Sequence, residues 1–341
     1  MADSKVTLAD KPKLGVILLN LGTPDEPSKG AIRRYLAEFL SDPRVVNLPR
    51  WVWLPILYLI ILNTRPAKLV EKYEYIWGRK DAPLRAITEA LAKRSETALK
   101  NQLHSGQVVV RSAMTYGSPS VEKVVNQIEA LGVESYLFLP LFPQYSSATV
   151  GACFNSIARA FKNKVTVPPS RFISGYHDRD NYIHALTKSI ERYRWFQDDD
   201  TLLLFSFHGI PESQASLGDP YAVQCHRTAE LVAHNLGLAD HQWRLSYQSR
   251  FGPAPWLKPY TDQTLAGLPG EGINRVLVVC PGFATECLET LEEIKLLNRD
   301  IFLEAGGKAF RYVKALNATT CHVNLIRDLV NNHLYPIEQR R

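Results

Sequence analysis

Six apolar, β-rich runs constrain this chain more than anything else in it. They are GVILLNL (15–21), QVVVRSAM (107–114), SYLFLPL (135–141), TLLLFSF (201–207), WRLSYQS (243–249) and NRVLVVC (274–280). Continuous runs, rather than alternating ones, suit strands buried on both faces of a parallel sheet. Helical patterns lie between most of them, such as SVEKVVNQIEALG (120–132) and HRTAELVAHNLG (226–237). Gly132 and Gly237 stand where helix C-caps belong. Strand alternating with helix predicts an α/β doubly wound architecture.

The runs also fall into pairs. The first leads into LGTP (21–24) and the fourth into HGIP (208–211). The second leads into YGSP (116–119) and the fifth into FGPAP (251–255). The third leads into PLFPQYSSATVG (140–151) and the sixth into PGFATECLETL (281–291). One such match could arise by chance in an α/β protein; three in the same order argue for one plan used twice. Two similar Rossmann-like lobes are expected, 14–165 and 170–330, with a cleft between them. In such folds ligands sit beyond the carboxyl ends of the strands.

The halves differ in one crossover. Gly22 and Gly117 are 95 positions apart, whereas Gly209 and Gly252 are 43 apart. The first lobe therefore carries an insertion, about 45–85, near the expected cleft. It contains WVWLPILYLIIL (51–62), flanked by Arg50 and Arg65. As a helix this run extends only ~18 Å, too short for a bilayer core of ~30 Å. Pro55 would kink it as well. The run is expected to form an apolar lip on the cleft, with Trp53, Leu54 and Ile56 as its contact residues. A core helix is the plainer reading. The opening MADSKVTLADKPKLG has no apolar h-region of a secretory signal. A cytoplasmic protein is expected, with the lip suited to peripheral membrane contact.

The net charge of +6 comes without a dense Lys/Arg block. That disfavours nucleic acid and fits an acidic small molecule or an anionic surface. The cysteines, Cys153, Cys225, Cys280, Cys287 and Cys321, are odd in number and form no C-x-x-C pair. They read as free thiols. No G-x-G-x-x-G, G-x-x-x-x-G-K-[ST], H-E-x-x-H or G-x-S-x-G is present, so nucleotide binding and the common hydrolase sites have no support.

Three groups could do chemistry. His208 ends a strongly apolar strand at a Gly-x-Pro turn, where an imidazole can accept a proton or bind a metal near neutrality. A histidine bonded only to backbone would fit the same position. Glu286, Glu289 and Glu293 follow the sixth strand at i, i+3 and i+7, one face of an α-helix. Clustered carboxylates repel one another unless a cation or a proton offsets the charge. An acidic first helical turn is the alternative. Tyr116, Phe251, Trp256 and Phe283 stand just past strands and could line a flat apolar cleft or simply pack.

Taken together, LLNLGTP (18–24), PLFPQYSSATVG (140–151), LLFSFHGIPESQASLGDPY (203–221), YQSRFGPAPWLKPYTDQTL (247–265) and CPGFATECLETLEEI (280–294) resemble the ferrochelatase family. The resemblance covers about 14–331, and the chain looks like bacterial enzymes that insert Fe²⁺ into protoporphyrin IX; a chelatase for another tetrapyrrole or metal, such as coproporphyrin or cobalt, and a non-catalytic porphyrin or haem carrier on the same fold are the alternatives. It implies that His208 stands by the metal and the pyrrole nitrogens. It implies that Glu289 is the carboxylate on the other side of the ring, with Glu293 one turn along a metal or proton route. Leu21, Tyr116 and Trp256 match cleft-lining positions, Arg65 and Tyr73 a propionate-holding segment, and the apolar run the family's lip. Fe²⁺ is implied as a substrate, with no tightly bound cofactor.

Four positions depart from the family pattern. Cys287 stands for a common histidine, Leu297 for a further acid, Thr115 for an arginine and Ala82 for a serine. They bear on metal delivery and propionate binding. Some relatives hold a [2Fe–2S] cluster on C-terminal cysteines; here VNNHLYPIEQRR ends the chain with only Cys321 nearby, and no cluster is expected.

Overall fold

A computed structural model describes residues 14–79, 81–103, 108–194 and 200–334. Gln107, residues 1–13 of the N-terminal segment and residues 335–341 of the C-terminal tail lie outside them. The apolar runs form two parallel four-stranded sheets. The first has the order β2-β1-β3-β4, with β1 Leu14–Asn20, β2 Val108–Met114, β3 Ser135–Pro140 and β4 Ser170–Phe172. The second has the order β6-β5-β7-β8, with β5 Thr201–His208, β6 Trp243–Gln248, β7 Arg275–Val279 and β8 Ala309–Val313. The six expected strands are all present, and the shared order carries the expected twofold plan.

The edge strands β4 and β8 were not foreseen. Each is short, and its burial pattern is mixed rather than continuously apolar. Strand β4 pairs with β3, so sheet pairing puts 170–172 with the first sheet rather than with the 170–330 unit.

Each sheet packs helices on both faces. Apolar cores lie beneath the outer face of the first sheet, around Ile17, Phe138 and Phe161, and of the second, around Leu204, Val278 and Phe302. A third core is shared. It runs from Val16, Leu18 and Leu139 through Tyr182 and Ala229 to Phe205, Phe207 and Leu277. The two sheets thus meet over one continuous interior. Gly132 and Gly237 do end helices, with φ of 75° and 68°.

The insertion is a broken helix. Arg50–Ile56 is α-helical, Leu57–Ile61 is a π turn and Leu62–Ile76 is α-helical again. It packs on the helix Lys29–Leu40 and forms its own core with Tyr116. Gly22 lets the chain leave β1 close to β2. Its φ is +117°, and a Cβ there would sit 1.8 Å from the Tyr116 carbonyl oxygen.

Candidate active site

The fully buried strand β5 delivers His208 half-exposed at its carboxyl end. His208 Nδ1 lies 2.7 Å from the Gly209 carbonyl oxygen. A carbonyl only accepts, so Nδ1 carries a proton, and in the neutral form of the ring Nε2 holds the free lone pair. The backbone bond thus occupies one ring nitrogen and leaves the other open. Rings of Trp256 and Phe283 flank the imidazole, each with its centroid 6.4 Å away. Trp256 is fixed by its indole N–H, which donates to the Phe251 carbonyl at 2.9 Å. The segment behind it bonds the His208 turn through Glu212 N to Pro255 O and Leu257 N to Ile210 O, both 3.0 Å.

Opposite stands a ten-residue π-helix, Glu289–Asn298. Helices of this wide type are rare and concentrate at functional sites. Side-chain bonds from β6 and from within the helix hold it. Gln248 Nε2 donates to the Glu289 carbonyl at 3.1 Å, and Asn298 Nδ2 to the Glu293 carbonyl at 2.8 Å. Glu286 pins its entry, accepting from Thr290 Oγ1 (2.5 Å), Tyr312 OH (2.9 Å) and Ala315 N (3.1 Å). The three-carboxylate row read from α-helical spacing is thereby corrected. Glu286 precedes the π-helix and is turned into the interior, while Glu289 and Glu293 remain.

Glu293 accepts a 2.5 Å hydrogen bond from Ser249 Oγ. Ser249 has φ +67°, a left-handed conformation unusual for serine, and it stands directly after β6. Burial raises the Glu293 pKa. The Ser249 bond and the charge of His208 pull it back down, and the charge of Glu289 pushes it further up. Glu293 is thus within electrostatic reach of both partners. Among the described residues no three of His, Cys, Asp and Glu converge on one metal position, so His208 and the two glutamates form no closed chelate.

The first lobe supplies the wall. Leu21 is half-buried just past β1. Tyr116 is buried, its hydroxyl donating to Asp42 Oδ2 at 3.0 Å. Tyr73 is also buried, and burial first, then the charge of Glu289, raises its pKa. The Arg65 guanidinium lies 4.4 Å over the Phe251 ring. Its pKa is lowered by burial and supported by Tyr73 and Glu289. Arg65 and Tyr73, expected at propionates, are therefore gathered on the Glu289 side.

The lip departs from expectation at one residue. Trp53 is buried, and its indole N–H donates to the Leu40 carbonyl at 2.7 Å. It packs with Leu57 and Leu62 as the root of the lip rather than its contact face. Leu54 is half-buried and Ile56 exposed. The outward face is made by Trp51, Tyr58, Leu59 and Ile60, with Trp51 82% and Leu59 73% exposed.

Sequence reasoning missed Gln248, Ser249 and Asn20. Asn20 is buried and donates from Nδ2 to Thr88 Oγ1 and Thr285 Oγ1, both at 3.1 Å, joining β1 to the segment that leads to the π-helix. A lone polar residue at the end of an apolar strand was its available signal.

Comparison with known proteins agrees with this geometry. A sequence model of the ferrochelatase family matches residues 13–334. The ferrochelatase of Alcanivorax borkumensis is 46% identical over 94% of each chain. The coproporphyrin III ferrochelatase of Streptococcus mutans is 45% identical over 94% of this chain and 99% of its own. In fold, the chain superposes on SirB of Bacillus subtilis, solved with Fe³⁺, with a TM-score of 0.56 at 10% identity, covering 94% and 95% of the two chains. Matching sequence over nearly its whole length, and matching chelatases in fold, this chain belongs to the ferrochelatase family.

Proposed function

We propose that the ferrochelatase reaction here is insertion of Fe²⁺ into protoporphyrin IX, giving protohaem and two protons. The observation that carries the choice of ring is the apolar lip. Leu54, Ile56 and their neighbours offer hydrocarbon to a ring edge bearing vinyl groups, and burial of such surface contributes ~25 cal/mol per Å². Coproporphyrin III, with four propionates, is the competing substrate, favoured by the name of the Streptococcus mutans relative.

The mechanism follows from the two walls. In a flat porphyrin the pyrrole N–H groups block the metal. Binding the ring bent between the lip, Tyr116, Leu21 and Trp256 exposes the nitrogen lone pairs, with binding energy drawn from the ring's periphery. The free Nε2 of His208 accepts a pyrrole proton. The Glu289 and Glu293 carboxylates attract Fe²⁺ and replace part of its hydration shell. Arg65, beside Glu289, tempers their charge.

Two further readings belong with this one. The lip's outward face suits peripheral contact with a membrane that supplies or receives a greasy ring; no helix of the described residues is long and apolar enough to cross one. No resident [2Fe–2S] cluster is proposed, because the five cysteines are free and scattered; stoichiometric acid-labile sulfide in the purified protein would contradict it. The decisive experiment is anaerobic turnover of Fe²⁺ with protoporphyrin IX and with coproporphyrin III, followed by loss of porphyrin fluorescence. Faster turnover of protoporphyrin is expected, and none with His208→Ala. Preference for coproporphyrin overturns the choice of ring, and wild-type rates in His208→Ala overturn the site.

A further inference from the structure

An ion pair joins the lip to the π-helix. Lys72 Nζ lies 2.7 Å from Glu292 Oε1, and the Glu292 side chain is only 12% exposed. Lys72 belongs to the lip helix and precedes Tyr73. Glu292 belongs to the π-helix and precedes Glu293. Apart from Arg65 over the Phe251 ring, the contacts described along this seam are apolar. Phe251, Leu288 and Leu291 of the second lobe pack against the lip core built on Leu62, Tyr73 and Tyr116. Apolar contact is non-directional and tolerates sliding. A charge pair across an interface fixes register.

We infer that Lys72 and Glu292 are a positioning pair. They hold the lip in one register on the π-helix, so that a ring under the lip meets Glu289 and Glu293 at a set height. The inference rests on the chelatase reading of the cleft. Neither residue touches the reacting atoms. A pair with one partner 40% exposed adds little to stability. Its effect falls on alignment, where small displacements are expensive in rate.

The test uses Lys72→Met, which keeps the apolar stem, Glu292→Gln, and the swapped pair Lys72→Glu with Glu292→Lys. Hydrogen exchange across Leu62–Ile76 is measured first, on protein without substrate. Each single change is expected to speed it several-fold, and the swap to slow it again. In turnover, each single change is expected to lower kcat/KM for Fe²⁺ about tenfold and to move the porphyrin Kd less than about twofold, with the swap recovering most of the loss. Unchanged exchange in the single variants, or a swap as impaired as the two changes combined, overturns the pair. A wild-type protein that metalates neither porphyrin overturns the proposed reaction instead, and the exchange measurement still decides the pair.

Discussion

In the first lobe β1 runs out into Leu21-Gly22-Thr23-Pro24; in the second, β5 runs out into His208-Gly209-Ile210-Pro211. The surroundings of the two turns repeat. Tyr116 N bonds Leu21 O at 2.9 Å and Gly209 N bonds Gln248 O at 2.8 Å, each tying the turn to the neighbouring strand. Past that strand, Met114 N bonds Pro119 O and Tyr247 N bonds Pro259 O, both at 2.8 Å. Even the helix after the third strand starts alike, with a π segment at Ser147–Gly151 in one lobe and Glu289–Asn298 in the other. The same backbone thus presents an isobutyl group at one turn and an imidazole at the other. It presents Ser and Thr on one π segment and carboxylates on its counterpart. The scaffold sets where side chains point, and on the proposed reading the side chains alone divide the work into a wall and a reactive face.

The most direct way to break this division is His208→Leu, which makes the second turn a copy of the first. Metal insertion should fall by at least ~10²-fold, the scale of a lost proton acceptor, while the urea midpoint stays near wild type. The converse, Leu21→His, should add an imidazole without adding turnover, because the π segment of its own lobe, Ser147–Gly151, carries no carboxylate. Turnover retained in the first variant would mean that the two turns are not functionally distinct.

A second contrast concerns what holds the lobes. Asn20 precedes Leu21 as Phe207 precedes His208, yet Asn20 is a buried amide that bonds both Thr88 and Thr285. Its Oδ1 also accepts from Leu21 N at 2.8 Å. Asn20→Leu leaves that N–H without a side-chain acceptor and should cost about 3 kcal/mol in chemical denaturation.

The third contrast is in acid. His322, on the helix Thr320–Leu334 behind the second sheet, is buried with Nδ1 donating to the Asn317 carbonyl at 2.6 Å. Burial pushes its pKa down from 6.5 to about 4, against the smaller opposing effect of that bond. An unfolded histidine takes up a proton below about 6.5, while the folded one waits until about 4. The unfolded state therefore binds more protons in this window, and stability falls as pH drops through it. Its full contribution, up to about 3 kcal/mol, is present above the window. His322→Gln should flatten the fall in stability between these limits, measured as the change in denaturation midpoint with pH.

Much of this was legible in the sequence, and the illegible part has a common cause. Buried strands and glycine turns leave local signatures, so six of the eight strands and the His208 turn could be read directly. The π-helix could not, because bonds from Gln248, Ser249 and Tyr312 tie it and its entry to distant strands, and these are tertiary. Reading it as an α-helix placed Glu286 on the working face when it is an interior anchor. Trp53 misled for a related reason. An apolar run says that its residues avoid water, but only packing decides which of them face the cleft, the core or the outside.

The lip provides the smallest effect and the sharpest contrast within one segment. Leu57 and Trp53 are buried, whereas Leu59 and Ile60, two and three residues beyond Leu57, are 73% and 55% exposed. Asp at either exposed position removes apolar surface that folding does not use, so the stability change should stay within about 0.5 kcal/mol. If the outward face serves porphyrin entry from a membrane, Leu59→Asp with Ile60→Asp should raise KM for protoporphyrin presented in anionic vesicles. KM for porphyrin in detergent should stay near wild type. Equal KM changes in both media would place these residues in the cleft wall. No change in either would leave the second lobe and the cleft-facing side chains of the first sufficient for substrate capture, and the first lobe's extra crossover would need another reason to be greasy on its outer side.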